Sequence, residues 1–145
     1  MTRPIRTIVV ALLAVSPALA ISACKEVEAT ESSHYEPAKL SAIKDSDVQR
    51  VTFTAVGANR IGLEMGDVRA SRRGPFIPHA SVIYDAEGKV FTYTSPKPLT
   101  FVRHEIVVDR IDGDRVLLTK GPSIGTKVVT VGAAEVLGSE FEVGH

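Results

Sequence analysis

The sequence predicts an all-β fold, either a small barrel or a sandwich, with at most one or two short helical turns. From Val48 onward, short runs of β-branched and aromatic residues alternate with clusters of Gly, Pro and Asp, at the spacing of about ten residues that is typical of all-β domains. No segment repeats at a fixed period, which argues against a solenoid or a propeller. A barrel or a sandwich limits the number of strand edges exposed to solvent.

The individual strands are predicted from the alternation of side chains along the chain. In the first strand, Val51, Phe53 and Ala55 alternate with Thr52, Thr54 and Val56, as expected of a half-buried strand. Residues 58–63 are expected to form one helical turn. The later strand candidates are residues 64–70, 77–84, 90–94, 99–111, 115–119 and 127–131, and residues 99–111 are the longest of them.

Turn-forming residues separate these strands. Gly88 can adopt the positive φ that closes a hairpin, and Asp112-Gly113-Asp114 is a second hairpin signal. Residues 72–75 contain two arginines, a glycine and a proline and are read as a solvated loop. Residues 132–145 are expected to form an extended or briefly helical closing segment.

The N-terminus has the pattern of an export signal. Arg3 and Arg6 precede a mostly apolar run at residues 8–20, which matches the charged and apolar regions of a secretory signal. This run is shorter than the roughly twenty residues that span a bilayer. We therefore expect residues 1–23 to be a signal peptide.

Cys24 is the only cysteine of the chain, and it ends the tetrapeptide Ile-Ser-Ala-Cys. This tetrapeptide resembles the lipobox, in which the cysteine sulfur takes a diacylglyceryl group before cleavage, and acyl chains such as palmitate then hold the protein on a membrane. The rival interpretation is an ordinary cleavage site at residues 18–20, which would leave Cys24 as an unpaired thiol. The lipid interpretation predicts a protein anchored to the cell membrane on its extracytoplasmic face.

The mature chain is expected to hold one domain behind a tether. Residues 24–46 are rich in Glu, Ser, Ala and Lys and are interpreted as a flexible tether, which leaves residues 47–145 for the β domain. Removal of Arg3 and Arg6 lowers the basic count from 17 to 15 against 17 acidic residues. A nearly neutral chain argues against a nucleic-acid partner, which calls for a clustered basic face.

No catalytic residue, metal site or cofactor is predicted. The residues with suitable side chains are His79, His104, Ser81, Ser123, Asp112 and Asp114. The two histidines are not closely spaced and lack a second cysteine, so the ligand spacing of a zinc site is absent. The serines lack a Gly-x-Ser-x-Gly context, and aspartates beside a turn glycine commonly accept backbone hydrogen bonds. We therefore expect a non-enzymatic protein.

Several segments, taken in order, have the pattern of a known family. They are residues 51–54, 60–68, 76–84, 88–93, 101–103, 107 and 121–133. In this order they resemble the membrane-proximal domain of periplasmic adaptor proteins, also called membrane-fusion proteins, which serve resistance-nodulation-division efflux pumps. Residues 121–133 resemble the adaptor motif Gly-Leu-x-x-Gly-Asp-x-Val-Val-x-x-Gly-Ala, with Pro122 and Thr126 in place of the usual leucine and acid. Residues 131–145 also resemble a group of small exported lipoproteins.

The resemblance implies a free-standing membrane-proximal β domain on a lipid anchor. In adaptors this domain contacts the transporter, and the lipoyl and α-hairpin domains are inserted where only residues 69–75 stand here. The resemblance thus implies a non-catalytic accessory protein that docks on a membrane transporter or another envelope complex. The residues expected to bind the partner are Arg103 and Glu105, which lie on one face of their strand and are expected to form a surface charge pair, and Gly121 and Gly125 in a turn.

A second hypothesis is a lipoprotein that binds a small ligand or an envelope polymer. In this hypothesis a pocket is lined by aromatic residues, namely Tyr84, Phe91, Tyr93 and Phe101. The more common role of such rings is to fill the core of the domain.

Overall fold

The computed structural model describes residues 36–141. The predicted signal peptide, Cys24, the predicted tether up to residue 35 and residues 142–145 lie outside the described residues. The described chain forms strands β1 (Ala38–Ala42), β2 (Gln49–Phe53), β3 (Glu64–Asp67), β4 (Arg69–Ser71), β5 (Gly74–Pro78), β6 (Ile83–Tyr84), β7 (Val90–Lys97), β8 (Thr100–Glu105), β9 (Val107–Asp112), β10 (Arg115–Lys120) and β11 (Lys127–Val131). Its helices are α1 (Ala55–Arg60) and α2 (Ala133–Glu140), and a 3-10 turn covers His79–Ser81.

The strands form two antiparallel sheets. The larger sheet has the order β1-β2-β8-β7-β11-β3, with β6 also paired to β7, and the smaller sheet has the order β4-β5-β10-β9. The all-β prediction is therefore confirmed. Because neither sheet closes on itself, the fold is a sandwich and not a closed barrel.

Apolar side chains form a core on each face of the larger sheet. The first core lies between this sheet and the two helices, and its buried residues are Val51, Phe53, Ala58, Phe91, Tyr93, Phe101, Val129, Ala133 and Val136. The second core lies between the two sheets, and its buried residues are Val68, Ile77, Ile106, Val116, Leu118 and Val128. The domain thus has three layers, in the order helices, larger sheet and smaller sheet.

The central strands of the larger sheet are buried on both faces. On β11, Val128 belongs to the second core and its neighbour Val129 to the first. On β7, Phe91 and Tyr93 belong to the first core, and the fully buried Thr92 lies between them. Successive side chains of a strand point to opposite faces, so each of these strands contributes to both cores.

Three strand predictions were wrong because the chain changes sheets within them. Residues 77–84, predicted as one strand, divide into the end of β5 in the smaller sheet, the 3-10 turn at His79–Ser81 and β6 in the larger sheet. Residues 99–111, predicted as one strand, form β8 in the larger sheet and β9 in the smaller one, with the buried Ile106 between them. Residues 64–70 likewise divide into β3 and β4 at the buried Val68. Val68 and Ile106 both enter the core between the sheets, so a buried apolar side chain marks these two crossing points.

The expected tether differs from the structure in its last part. Residues 38–42 form β1, which pairs with β2 in the register Leu40 opposite Val51. Ala38 and Leu40 pack against the first core. Two apolar residues at a spacing of two are enough to add an edge strand to an existing sheet, although they are too few to show a period in the sequence.

The first helix begins earlier than predicted. Thr54 caps α1, since its hydroxyl oxygen accepts a hydrogen bond of 3.0 Å from the Gly57 N–H. This cap satisfies an N–H group that has no partner inside the helix. The predicted alternation of the first strand therefore ends at Phe53, and the helix covers residues 55–60 instead of 58–63. The closing segment is briefly helical, as α2.

Candidate functional site

Arg103 and Glu105, two predicted partner-binding residues, lie on the face of the larger sheet that carries the helices. They share this face because they are two positions apart on β8, where they stand opposite Tyr93 and Phe91 of β7. The Glu105 side chain is exposed. The Arg103 side chain is only 19% exposed, and its guanidinium forms an ion pair with Glu140 of α2. The predicted surface charge pair between Arg103 and Glu105 was therefore wrong.

Glu140 is the centre of a buried polar group of residues, which we call the Glu140 cluster: Gln49, Tyr93, Arg103 and Glu140. The Glu140 side chain is 2% exposed. Its Oε2 accepts a hydrogen bond of 2.5 Å from the Tyr93 hydroxyl. Its Oε1 lies 3.4 Å from Nη2 of Arg103 and accepts a hydrogen bond of 3.4 Å from the Gln49 N–H. A buried carboxylate requires such partners, because its desolvation is otherwise costly.

Two aromatic rings enclose the cation of this cluster. The guanidinium carbon of Arg103 lies 5.2 Å from the ring centroid of Phe91 and 5.2 Å from that of Phe141. These distances are within the range of cation–π contacts. Since Phe91 belongs to the sheet and Phe141 follows α2, Arg103 and Glu140 together hold the end of α2 against the sheet.

The environment of the cluster keeps Tyr93 protonated. Burial raises the pKa of the Tyr93 hydroxyl well above its ordinary value, the hydrogen bond and the charge of Glu140 raise this pKa further, and the charge of Arg103 lowers it by less. A neutral Tyr93 donates its proton to the bond with Glu140. Both oxygens of Glu140 thus have donors, and the cluster has the properties of a structural lock for α2.

The burial of Glu140 is indicated in the sequence by the spacing of the apolar residues before it. The residues of α2 that face the sheet are Ala133, Val136, Leu137 and Glu140, which follow the spacing i, i+3, i+4, i+7 of an amphipathic helix. A glutamate at the last position of an apolar stripe indicates a buried carboxylate that needs a partner.

Gly121 and Gly125, the other two predicted partner-binding residues, belong to the loop between β10 and β11. The Gly125 N–H donates a hydrogen bond of 2.8 Å to the Val68 carbonyl, and the Val68 N–H donates one of 2.9 Å to the Thr126 carbonyl. These bonds fix the loop to the point where the chain crosses between sheets. The loop exposes one large apolar side chain, that of Ile124, which is 61% exposed.

The two glycines of this loop have different structural roles. Gly125 has a φ of +88°, in the left-handed region that other residues rarely adopt. At Gly121, a Cβ atom would lie 2.7 Å from Cδ1 of Leu118. Gly125 is therefore needed for the backbone of the loop, and Gly121 leaves room for the buried Leu118 side chain.

Three of the four aromatic residues proposed as pocket lining fill the first core instead. Phe91, Tyr93 and Phe101 are buried, and edge-to-face contacts join Phe91 to Tyr93 and Phe53 to Phe101. Tyr84 is 56% exposed. Of the four rings, Tyr84 alone is therefore exposed to solvent.

The other polar candidates include Ser81 and the two histidines. The Ser81 hydroxyl donates a hydrogen bond of 2.6 Å to the Pro78 carbonyl, and His79 and His104 are exposed. Residues 36–141 contain no group of three or more His, Cys, Asp or Glu side chains arranged to hold a metal ion. None of the helices described within this range combines the length and the apolar character needed to cross a membrane.

A comparison with known proteins adds no relative to this description. No protein-family model matches the chain, and no match is found among curated proteins or solved structures.

Proposed function

We propose that this chain is a non-catalytic accessory protein of the cell envelope, anchored through lipid on Cys24 at the extracytoplasmic face, that docks on a membrane transporter or another envelope complex. The observation that supports docking is the exposed Ile124 side chain at the tip of the hydrogen-bonded loop between Gly121 and Gly125. The support for the anchor is the apolar run that precedes Cys24 in the sequence.

A fixed loop with an exposed apolar tip is suited to binding a protein. Association costs free energy when side chains and loops must be ordered at the interface. The hydrogen bonds of Gly125 and Thr126 to Val68 order this loop before any partner arrives. Ile124 can then enter an apolar pocket of the partner, and its burial would contribute about 1.5–3 kcal/mol.

The structure changes the role that we propose for the other candidates. Arg103 is occupied with Glu140 and the two rings, so we assign it a structural role. Glu105 is exposed on the same face and is kept as a second, weaker candidate for partner contact. Gly121 and Gly125 act by shaping the loop that presents Ile124.

The test is site-specific crosslinking of the native lipidated protein in intact membranes. A photoreactive amino acid is placed at Ile124, and the matched control carries it at Val56, which is 51% exposed on α1. We expect position 124 to capture a transporter subunit or another envelope protein that position 56 does not capture. Identical captures from the two positions would contradict the docking surface, and an intact mass without acyl chains on Cys24 would contradict the anchor.

The ligand-binding hypothesis has less support. Three of the rings on which it depended are buried in the first core. A thermal-shift screen tests it directly, because a ligand at a hundred times its dissociation constant would stabilise the fold by about 2.7 kcal/mol.

A further inference from the structure

We propose that the outer face of the smaller sheet binds an anionic lipid surface. This inference rests on the lipid anchor of the proposed function, but it does not depend on docking to a transporter. It starts from five arginines, which we call the arginine face: Arg69, Arg72, Arg73, Arg110 and Arg115.

The strand register places three of these arginines on the outer face of the sheet. Phe76 of β5 stands opposite Arg69 of β4 and Leu117 of β10, and Leu117 stands opposite Arg110 of β9. These four residues therefore form one row across the sheet. Arg115 is two positions from Leu117 on β10 and shares its face.

The opposite face of the same strands is occupied by the second core. Ile77 and Val116, which neighbour Phe76 and Leu117 along their strands, are fully buried there. The side chains of the row thus point away from the body of the domain. Arg72 and Arg73 extend it at the turn between β4 and β5, where both are exposed.

Four of the five arginines lack an ion-pair partner within residues 36–141. The exception is Arg115, whose Nε lies 3.9 Å from Oδ1 of Asp114 in an exposed pair. Such a pair contributes little. The other carboxylates on or beside this face are those of Asp109 and Asp112, both exposed. Guanidinium groups therefore outnumber carboxylates here, although the whole chain has as many acidic as basic residues.

Between these side chains lies a shallow groove of about 190 Å³. Its lining residues are Ser71, Arg72, Arg73, Phe76, Asp112, Arg115 and Leu117. The guanidinium carbon of Arg115 lies 5.6 Å from the centroid of the Phe76 ring. Stacking on a ring holds a guanidinium in place while its N–H groups stay available for an anion.

The shape of this face favours a surface that carries many anions over one small ligand. The groove is smaller than the roughly 300–1,000 Å³ of typical small-molecule pockets. Three strand spacings separate β4 from β9, which places the ends of the row about 14 Å apart. One phosphate accepts hydrogen bonds from guanidinium groups within about 3 Å, so it cannot contact the whole row. Several phosphates in one plane can contact the arginines at both ends of the row.

The predicted anchor would keep the domain within reach of such a plane. Twelve peptide units separate Cys24 from residue 36, where the described domain begins. Even fully extended, they reach no further than roughly 43 Å. The nearest surface with many negative charges is therefore that of anionic lipids. Each arginine at such a surface contributes about 1 kcal/mol to the free energy of binding.

The experiment is arginine footprinting of the native lipidated protein in vesicles. Phenylglyoxal modifies accessible guanidinium groups, and mass spectrometry reports the modification at each arginine. One sample uses phosphatidylcholine vesicles, and the second uses vesicles with added phosphatidylglycerol. We expect slower modification of Arg72, Arg73 and Arg110 in the second sample, with the difference lost at high salt.

Two charge variants test whether the arginine face causes the protection. Replacement of Arg72 and Arg73 by glutamine is expected to weaken binding of the arginine face to the membrane. The ratio of molecules with this face bound to lipid to molecules with it free should fall roughly 30-fold, equivalent to about 2 kcal/mol. Arg110 should then be modified at the rate seen in neutral vesicles. The matched control replaces Lys39 and Lys97, two exposed cations of the larger sheet, and should leave the protection unchanged.

Several outcomes would overturn the proposal. Equal modification in neutral and anionic vesicles would show that the face does not bind lipid. Equal protection in neutral vesicles by inorganic phosphate would indicate a site for a small anion, and equal protection by soluble polyphosphate would indicate an anionic polymer. Crosslinking from Ile124 reports on docking separately, and the intact mass reports on the anchor, so failure of either is distinguishable from failure of this inference.

Discussion

Replacement of Tyr93 by phenylalanine tests whether the Glu140 cluster stabilises the fold. The change removes one hydroxyl and keeps the ring that packs against Phe91. The hydroxyl donates a hydrogen bond of 2.5 Å to the Glu140 carboxylate. The contacts of this carboxylate with Arg103 and Gln49 are longer, at 3.4 Å each. The acceptor is a buried carboxylate, so loss of this bond removes a hydrogen bond to a charged group.

The expected loss follows from this geometry. A hydrogen bond to a charged group contributes about 1.5–3 kcal/mol, and we expect the free energy of unfolding to fall by that amount. This is a large share of the roughly 5–15 kcal/mol that stabilises a typical domain. The midpoint of thermal unfolding should fall on the order of 10 °C.

The assay is urea unfolding followed by far-ultraviolet circular dichroism, with Tyr84→Phe as the matched control. Tyr84 is 56% exposed, and its variant should change the free energy of unfolding by less than about 0.5 kcal/mol. A double-mutant cycle with Glu140→Gln should give a coupling energy of about 1 kcal/mol or more. If Tyr93→Phe behaved like Tyr84→Phe, the carboxylate would be stabilised by its other partners and the cluster would not depend on this bond.

Three further predictions use the same unfolding assay. Thr92→Val should stabilise the domain by about 1 kcal/mol, because the buried Thr92 Oγ1 has no hydrogen-bond partner within residues 36–141 and an apolar isostere removes the cost of burying it; destabilisation would mean that the hydroxyl has an undetected partner. Because the pKa of Tyr93 is raised in the folded state, its full contribution to the free energy of unfolding is present below about pH 10, where the unfolded tyrosine is protonated, and falls as the pH rises further. Tyr93→Phe should therefore lose less stability than the parent between about pH 9 and pH 11. Equal losses of stability in the two proteins would exclude this linkage. Gly125→Ala should cost about 1–2 kcal/mol, since alanine is disfavoured at its positive φ, and it should weaken crosslinking from Ile124; an unchanged free energy of unfolding would show that the loop tolerates a different backbone.

Much of the strand content could be predicted from local patterns. The turns at Gly88 and Gly113 were expected from the sequence, and both residues have positive φ in the structure. The changes of sheet at Val68 and Ile106 could not be predicted, because an apolar residue within a strand-like run has the same pattern whether the next residues pair in the same sheet or in another. The neighbouring strands determine which sheet these residues join, and those strands are distant in sequence.

The candidate site was predicted less well than the fold. The sequence places Arg103 and Glu105 on one face correctly, since this follows from the strand period alone. It does not show that Arg103 pairs with a residue 37 positions later, because that contact depends on how α2 packs on the sheet. The exposed arginines around residues 72–75 were expected in a solvated loop, but their alignment with Arg69 and Arg110 depends on strand register.

The layered architecture limits which surfaces remain for partners. Helices cover one face of the larger sheet, and the smaller sheet covers the other. The central strands of the larger sheet are therefore buried on both faces. The smaller sheet is covered on its inner side only, and its outer side carries the five arginines of the arginine face. Strand β10 contributes Arg115 and Leu117 to that face, and its C-terminal end leads into the loop with Ile124. A protein partner at the loop and lipid at the arginine face would therefore both contact elements joined by β10. A substitution that displaces the Leu118 side chain of β10, such as Gly121→Val, should weaken both contacts together.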